Sequence, residues 1–254
     1  MTAGRANKAT TDICPAAWAV AAVIALGLGP AASLAAPAGP TDAQIQRSVA
    51  ATQRFLIGQI GLDGKSAGET DPNNCRYGGK TALLVQALLW ARTDPRQCEP
   101  LARSIAWLSS AELTGTYAVA GRACALGLLS DANSLKLLTR DVQWLMQAAN
   151  EQGAYTYTSS AGRAEPRWDN SNSQFALLGV SAGISRGLEI PPGYLRLIEK
   201  HWLATQQSDG GWGYLTSPST GRARSYGSMT AAGLASLYVC LDQIHGEEFL
   251  RCAG

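Results

Sequence analysis

Charge is scarce in this chain. Asp, Glu, Lys and Arg make up 16% of its 254 residues, against about 25% in an average soluble domain. That excludes a long coiled coil and a charged disordered tail, both of which need far more. The charges also nearly cancel, leaving a formal net charge of +2. A nucleic-acid binder needs a clear basic excess to neutralise phosphates, so no nucleic-acid partner is expected. Histidine is almost absent, with only His201 and His245, and no CxxC pair occurs. A zinc site lacks its usual ligands, and neither a metal nor a cofactor is expected. What the chain does have is apolar and small: 46% hydrophobic residues and 27 glycines.

The N-terminus reads as an export signal. Arg5 and Lys8 precede a stretch from Ile13 to Pro40 without a single charge. Its apolar core, 16–28, is shorter than the roughly 20 residues that span a bilayer. Ser33 and Ala35 fit the small-x-small cleavage rule. Residues 1–35 are thus expected to be a signal peptide, and 36–41 a short stiff linker. The product is exported, periplasmic or extracellular, or anchored by its N-terminus if the signal stays uncleaved. Export permits disulfides. Without Cys14, the cysteines are Cys75, Cys98, Cys124, Cys240 and Cys252. An odd number leaves at least one thiol unpaired within the chain, and Cys75 with Cys98 is a candidate bridge.

The remainder is a series of helical patterns over 42–60, 80–92, 98–111, 116–129, 133–149, 171–187, 192–207 and 227–244, with Ile45, Val49, Phe55 and Leu56 setting the first apolar face. Asp42 is a candidate cap of the first, and Asp131 or Asn133 of the fifth. Polar loops fill 61–78, 150–169 and 208–225, and only 154–158 competes as a strand. The helices pair. The first of each pair ends in aromatic-Leu: Phe55-Leu56, Trp107-Leu108, Trp144-Leu145 and Trp202-Leu203. The second opens with a small or hydroxyl residue (Thr81, Thr116, Ser173, Ser228) and a run rich in Ala and Gly. Such units bury their apolar faces only against neighbours. The domain is expected to cover 42–245, with 246–254 as a tail.

Gln206-Gln207-Ser208-Asp209-Gly210-Gly211-Trp212-Gly213-Tyr214 after Trp202-Leu203 resembles the Gln-Trp repeat of squalene and terpenoid cyclases. Phe55-Leu56 with Gln59, Asp63 and Gly64 is a degraded copy, with Lys65 and Ser66 where the Trp should fall. Trp144-Leu145 with Gly153-Ala154-Tyr155 is a third, with Tyr for Trp. The resemblance extends to protein prenyltransferase subunits and, most closely, to exported bacterial members of that superfamily. It implies an all-α fold, an α/α toroid-like array of about four helical hairpins. Four hairpins are fewer than a closed toroid of that superfamily, which implies an open arc or incomplete toroid, or one closed by self-association. In the repeat, Gln206, Asp209, Gly211 and Trp212 are implied to be structural.

The same resemblance bears on chemistry. Class II cyclases protonate an alkene with the middle Asp of a DxDD motif. The matching positions here are Asp169-Asn170-Ser171-Asn172, where Ser171 replaces the proton donor. A hydroxyl cannot supply that acid. Zinc prenyltransferases need Asp, Cys and His together, and no Cys lies near Asp169. No catalytic residue is assigned. What remains is a polar constellation at a helix start, Trp168, Asp169, Asn170, Asn172 and Gln174, with Tyr155, Tyr157, Trp212 and Tyr214 offering flat faces. It reads either as a helix cap with loop ties or as the floor of a ligand pocket.

Two further motifs are weaker. Gly179-Val180-Ser181-Ala182-Gly183 matches the G-x-S-x-G of serine hydrolases, but it lies inside a helical pattern with no preceding strand. Gly64-Lys65-Ser66 and Gly79-Lys80-Thr81 end like phosphate loops but lack the first glycine. The leading expectation is a non-catalytic binding or interaction module of the cell envelope. Its partner would be a small molecule, lipid or saccharide, or an envelope protein. The alternatives are an enzyme acting on an isoprenoid or polysaccharide, with Asp169 or Asp209 as acid or base, and, remotely, a serine hydrolase through Ser181.

Overall fold

The computed structural model describes residues 39–159, 167–217, 221–222 and 224–252. The expected signal peptide, residues 36–38 of the linker, and Gly162 and Pro166 of the second long loop lie outside them. The chain divides into two compact units between Ile45 and Gln46. In the first, Thr41 caps the opening helix through a reciprocal box: Gln44 N–H donates to Thr41 Oγ1 (3.3 Å), and Thr41 N–H to Gln44 Oε1 (2.7 Å). The cap is therefore Thr41, one residue before the expected Asp42.

The fold is all-α. The described residues form helices α1 (Asp42–Ile57), α2 (Gly79–Trp90), α3 (Glu99–Ser110), α4 (Thr116–Gly127), α5 (Ala132–Ala148), α6 (Asn170–Ile184), α7 (Pro192–Thr205) and α8 (Gly227–Cys252). A two-residue antiparallel pair, Thr216–Ser217 with Gly221–Arg222, is added to them. The last helix runs past the expected end at 244 and takes in much of the expected tail. The one segment that competes as a strand, 154–158, forms a single bridge, between Gly115 and Thr158. Asp131 caps α5, accepting from Ser134 N–H at 2.9 Å.

Within the second unit the even helices form a row, α2 on α4, α4 on α6 and α6 on α8. The odd helices back them: α3 on α2, α5 on α4 and α6, and α7 on α8. The sequence explains the closeness of the row. A methyl at Gly121 of α4 would lie 3.1 Å from Ala82 Cβ of α2. One at Gly179 of α6 would lie 2.9 Å from Ala120 Cα of α4 and 2.6 Å from Leu145 Cδ1. These small residues set the interaxial distance. They also account for the G-x-S-x-G match: Ser181 sits in the interior of α6, and Gly183 makes room for Val142.

The short α3–α4 connection carries a different device. Arg122 of α4 is buried and pairs with buried Asp141 of α5 through two bonds of 2.6 and 2.8 Å. Its remaining Nη1 takes the Leu108 and Ala111 carbonyls at the end of α3. One guanidinium thereby satisfies carbonyls that the helix end leaves open.

The other three hairpins share one turn. In each, a residue donates back from the fourth position on: Gly61 N–H to Lys65 O, Asn150 N–H to Ala154 O, and Gln207 N–H to Gly211 O, all at 2.9 Å. In each, the residue three on returns the bond: Gly64 to Gly61 O, Gly153 to Asn150 O, and Gly210 to Gln207 O. That residue has φ of +81°, +76° or +83°, which glycine adopts without strain. A side-chain oxygen of Asp63, Asn150 or Asp209 accepts the N–H of the fifth residue. The sixth, Ser66, Tyr155 or Trp212, donates its N–H to a hydroxyl in the first turn of the next even helix: Thr81, Ser173 or Thr230. The three copies read in the sequence are one structural unit, with two adjustments. Gln59 falls outside the shared register, and the hydroxyl in α8 is Thr230 rather than Ser228.

Candidate functional site

The start of α6 gathers the polar residues the sequence singled out. Asp169 is buried at the N-cap. Its Oδ1 accepts from Asn172 N–H and its Oδ2 from Asn172 Nδ2, both at 2.7 Å. Its own N–H donates to Tyr155 O. Asn170 is fully buried and ties the third turn to α6: its N–H donates to Tyr214 O (3.0 Å) and its Nδ2 to Gly213 O (2.9 Å). Its Oδ1 lies 3.1 Å from His201 Nε2 of α7. Since the amide nitrogen donates to Gly213, the oxygen accepts, and His201 must carry its proton on Nε2. Burial pushes the His201 pKa down to about 4, so the ring is neutral near pH 7. Trp168, half-buried, meets the His201 ring edge-on at 4.8 Å.

These groups are occupied by one another. Asn172 Oδ1 alone among them is a buried side-chain atom with no hydrogen-bond partner. Gln174 is half-buried on α6. Ser171 accepts from Tyr117 OH at 2.6 Å.

The expected flat faces divide. Tyr155 is fully buried, donating to Leu145 O (2.9 Å) and bonded to Tyr194 OH (2.8 Å). It belongs to the core and cannot face a ligand. Trp212 is likewise buried. Its Nε1 donates to Trp202 O at 2.9 Å, at the end of α7, and its ring lies under Gly233, where a methyl would approach to 2.5 Å. Its size, like that of Tyr155, fills the gap between a turn and the next even helix. Gln206 Nε2 donates to Gly210 O, and Asp209 Oδ1 accepts from Gly211 N–H and Ser225 Oγ. Half-buried Tyr214 keeps its hydroxyl 3.2 Å from that of exposed Tyr157.

A cavity lies beside this constellation. It has a volume of about 580 Å³ and is walled by the N-terminal halves of α2, α4 and α6 together with the loop before α2 and Tyr157 of the loop before α6. Its aromatic wall is Tyr117, Tyr157 and Phe175: Tyr117 stands 4.7 Å from Phe175 and 6.0 Å from Tyr157, centroid to centroid. Exposed Arg76 and Lys80 supply positive charge, and the Arg76 guanidinium lies 5.6 Å from the Tyr157 ring centre. Burial pushes the Tyr117 phenol above its ordinary range, so it stays a neutral donor. Backbone amides at the start of α2 contribute little, because Glu69 holds them: its oxygens accept from Gly78 N–H (2.8 Å) and Thr81 N–H (3.1 Å). The Gly79-Lys80-Thr81 segment is thus a capped helix start and not a phosphate cradle. The charged side chains lining the cavity are Arg76, Lys80, Glu69 and Asp71, and Glu69 is the one spent on the backbone amides.

An apolar strip continues from the cavity. Leu83 and Trp90 on α2 are exposed seven residues apart, and so share a face. Leu178 on α6 follows Phe175 by three residues, and Leu128 at the end of α4 follows Tyr117 by eleven; both are exposed. Sequence reading missed the cavity because its residues come from three helices and two loops with no motif. Only Tyr157 was among the residues noted for a flat face.

Cys75, Cys98, Cys124 and Cys240 are all free thiols, so the candidate Cys75–Cys98 bridge is not formed. Burial pushes Cys124 up to about 11 and Cys240 up to about 12, which keeps both protonated. Among the described residues no helix is long and apolar enough to cross a membrane. Comparison with protein-family models, with curated proteins and with solved structures finds no match.

Proposed function

We propose that this chain is an exported, α/α toroid-like member of the terpenoid cyclase and prenyltransferase superfamily that binds an anionic amphiphile without transforming it. The observation that carries the reading is the division of labour at the even-helix starts. The carboxylate at the cyclase acid motif, Asp169, spends both oxygens on Asn172. The adjoining cavity instead offers two cations beside the Asp71 carboxylate, an aromatic wall and an apolar strip. A phosphate or carboxylate head would pair with Arg76 and Lys80, and a flat or isoprenoid body would lie on Tyr117, Phe175 and Leu83. Export rests on the sequence of residues 1–35, and the superfamily on the three-copy turn and the aromatic-Leu anchors.

Thermal unfolding with added ligand tests the reading. A ligand at 100 times its dissociation constant adds about 2.7 kcal/mol. A polyprenyl phosphate should raise the midpoint of the wild type, while the neutral polyprenol should raise it much less. The doubly substituted Arg76→Gln, Lys80→Gln chain should lose the shift. A shift that survives in that variant, or a new product formed from the polyprene and lost in Asp169→Asn, would overturn it.

A further inference from the structure

The three copies of the turn differ in what lies across them. Gly64 is buried, and a methyl there would sit 2.6 Å from the Arg103 carbonyl oxygen of α3. Gly153 is buried, and a methyl there would sit 2.5 Å from the Leu197 carbonyl oxygen of α7. In both, the next odd helix crosses the turn at backbone contact. Ser104 of α3 fastens the first by donating its hydroxyl to Gly64 O at 2.7 Å. Gly210 has the same φ and the same hydrogen bonds, yet it is exposed and has no described atom within 4 Å. The third turn has the shape that receives a helix, and none of the described helices occupies it.

At the other end of the series of described helices stands α1, an odd helix with no described turn across it and no buried residue. Its last turns are held to the end of α2, where Gln53 Nε2 donates to Ala91 O and Thr93 Oγ1. We infer that α1 of a second copy seats across the Gly210 turn, so that copies of this chain join head to tail.

Register favours this occupant. The carbonyl that meets the turn lies four residues before the aromatic-Leu anchor in α3 (Arg103 before Trp107) and five before it in α7 (Leu197 before Trp202). The same offsets from Phe55 fall on Ala51 and Ala50, whose methyl side chains leave the α1 backbone open to close approach. Both surfaces expose apolar side chains among the described residues. Val49 and Phe55 are exposed on α1, Phe55 by 65%. Leu203 of α7 is exposed beside the turn, and α8 exposes Leu234 and Tyr238 on the face opposite its buried Ala232, Ser236 and Cys240. The interface repeats, between copies, the one the chain makes twice within itself. Because the two surfaces differ, the contact is heterologous and extends to a ring or a filament. This inference is independent of what the cavity binds.

Sedimentation of the full chain over a range of concentrations reads the assembly. Mass above that of one chain, rising with concentration, is the expected result. Ala51→Arg blocks one surface and Tyr238→Glu the other. Both positions are exposed, so the melting temperature should hold while each variant alone sediments as a single chain. Mixed in equal amounts, the two should form a dimer and nothing larger, because each retains the surface that the other has lost. Should either variant lose its helical signal, Val49→Glu and Leu234→Glu carry the same test. Wild type at single-chain mass throughout, or a mixture that remains single, would overturn the inference.

Discussion

The start of α6 and the cavity beside it are adjoining surfaces built from opposite choices. At α6, Asp169, Asn170, Ser173 and His201 are buried and joined by hydrogen bonds to each other and to the turns. At the cavity, Arg76, Lys80 and Tyr157 are exposed and sit beside half-buried aromatic rings. Polar groups that close on one another rigidify a fold, and those that face open space remain available to a ligand. Tyr117 joins the two: its hydroxyl goes to Ser171 and its ring to the cavity wall. A dense cluster of polar residue types is therefore not in itself a binding site; what distinguishes one is whether the bonds are already made.

The largest expected effect breaks the closed side of that comparison. Asp169→Ala removes the N-cap and strands the Asn172 side-chain amide in a buried setting. The cap and the charged hydrogen bond together should cost about 3–4 kcal/mol, read as a fall in urea midpoint. An equal loss of ligand affinity with little loss of stability would instead place Asp169 on the open side.

A smaller effect follows from His201. Its folded pKa of about 4 lies below the ordinary 6.5, so the unfolded chain binds the extra proton first as pH falls. Stability contributed by the neutral ring is present above pH 6.5 and is lost progressively down to about pH 4. Between pH 7 and pH 5 that loss should be about 2 kcal/mol. In His201→Gln, which keeps a donor toward Asn170 but does not titrate, the difference between urea midpoints at pH 7 and pH 5 should shrink by about that amount. An unchanged pH dependence would mean that another group governs the acid limb.

Much of the fold was legible in the residues and less of the site. Helix periodicity gave the eight helices of the described residues, and all but α1 bury side chains along them; the apolar face expected on α1 from Ile45, Val49 and Phe55 is exposed. The turn copies were readable from Asp63-Gly64, Gly153 and Asp209-Gly210 because a left-handed position selects glycine and an Asx oxygen selects Asp or Asn. The identity of the sixth residue was not, since Ser66, Tyr155 and Trp212 all offer the same backbone N–H while filling different volumes. The Asp169 cluster was read both as cap and as pocket floor, and sequence could not choose, because a capping oxygen and a ligand-binding oxygen are the same atom in different surroundings. The cavity was not legible at all. Arg76, Lys80, Tyr117 and Phe175 converge only once α2, α4 and α6 stand side by side, and that spacing is set by small residues on the same helices, Ala82, Ala120, Gly121 and Gly179, whose partners across the contact lie far away in sequence.

The smallest expected effect on stability is also the sharpest test of the open side. Arg76 and Lys80 are exposed, and replacing both with Gln should change the unfolding free energy by no more than about 0.5 kcal/mol, as surface charges usually do. The two substitutions also lower the net charge by two, so a ligand held by those cations should bind wild type with an affinity that falls as salt rises. The variant should show little salt dependence. If the pair instead destabilises the chain by as much as Asp169→Ala, the cations are structural, the two surfaces are of one kind, and the comparison fails.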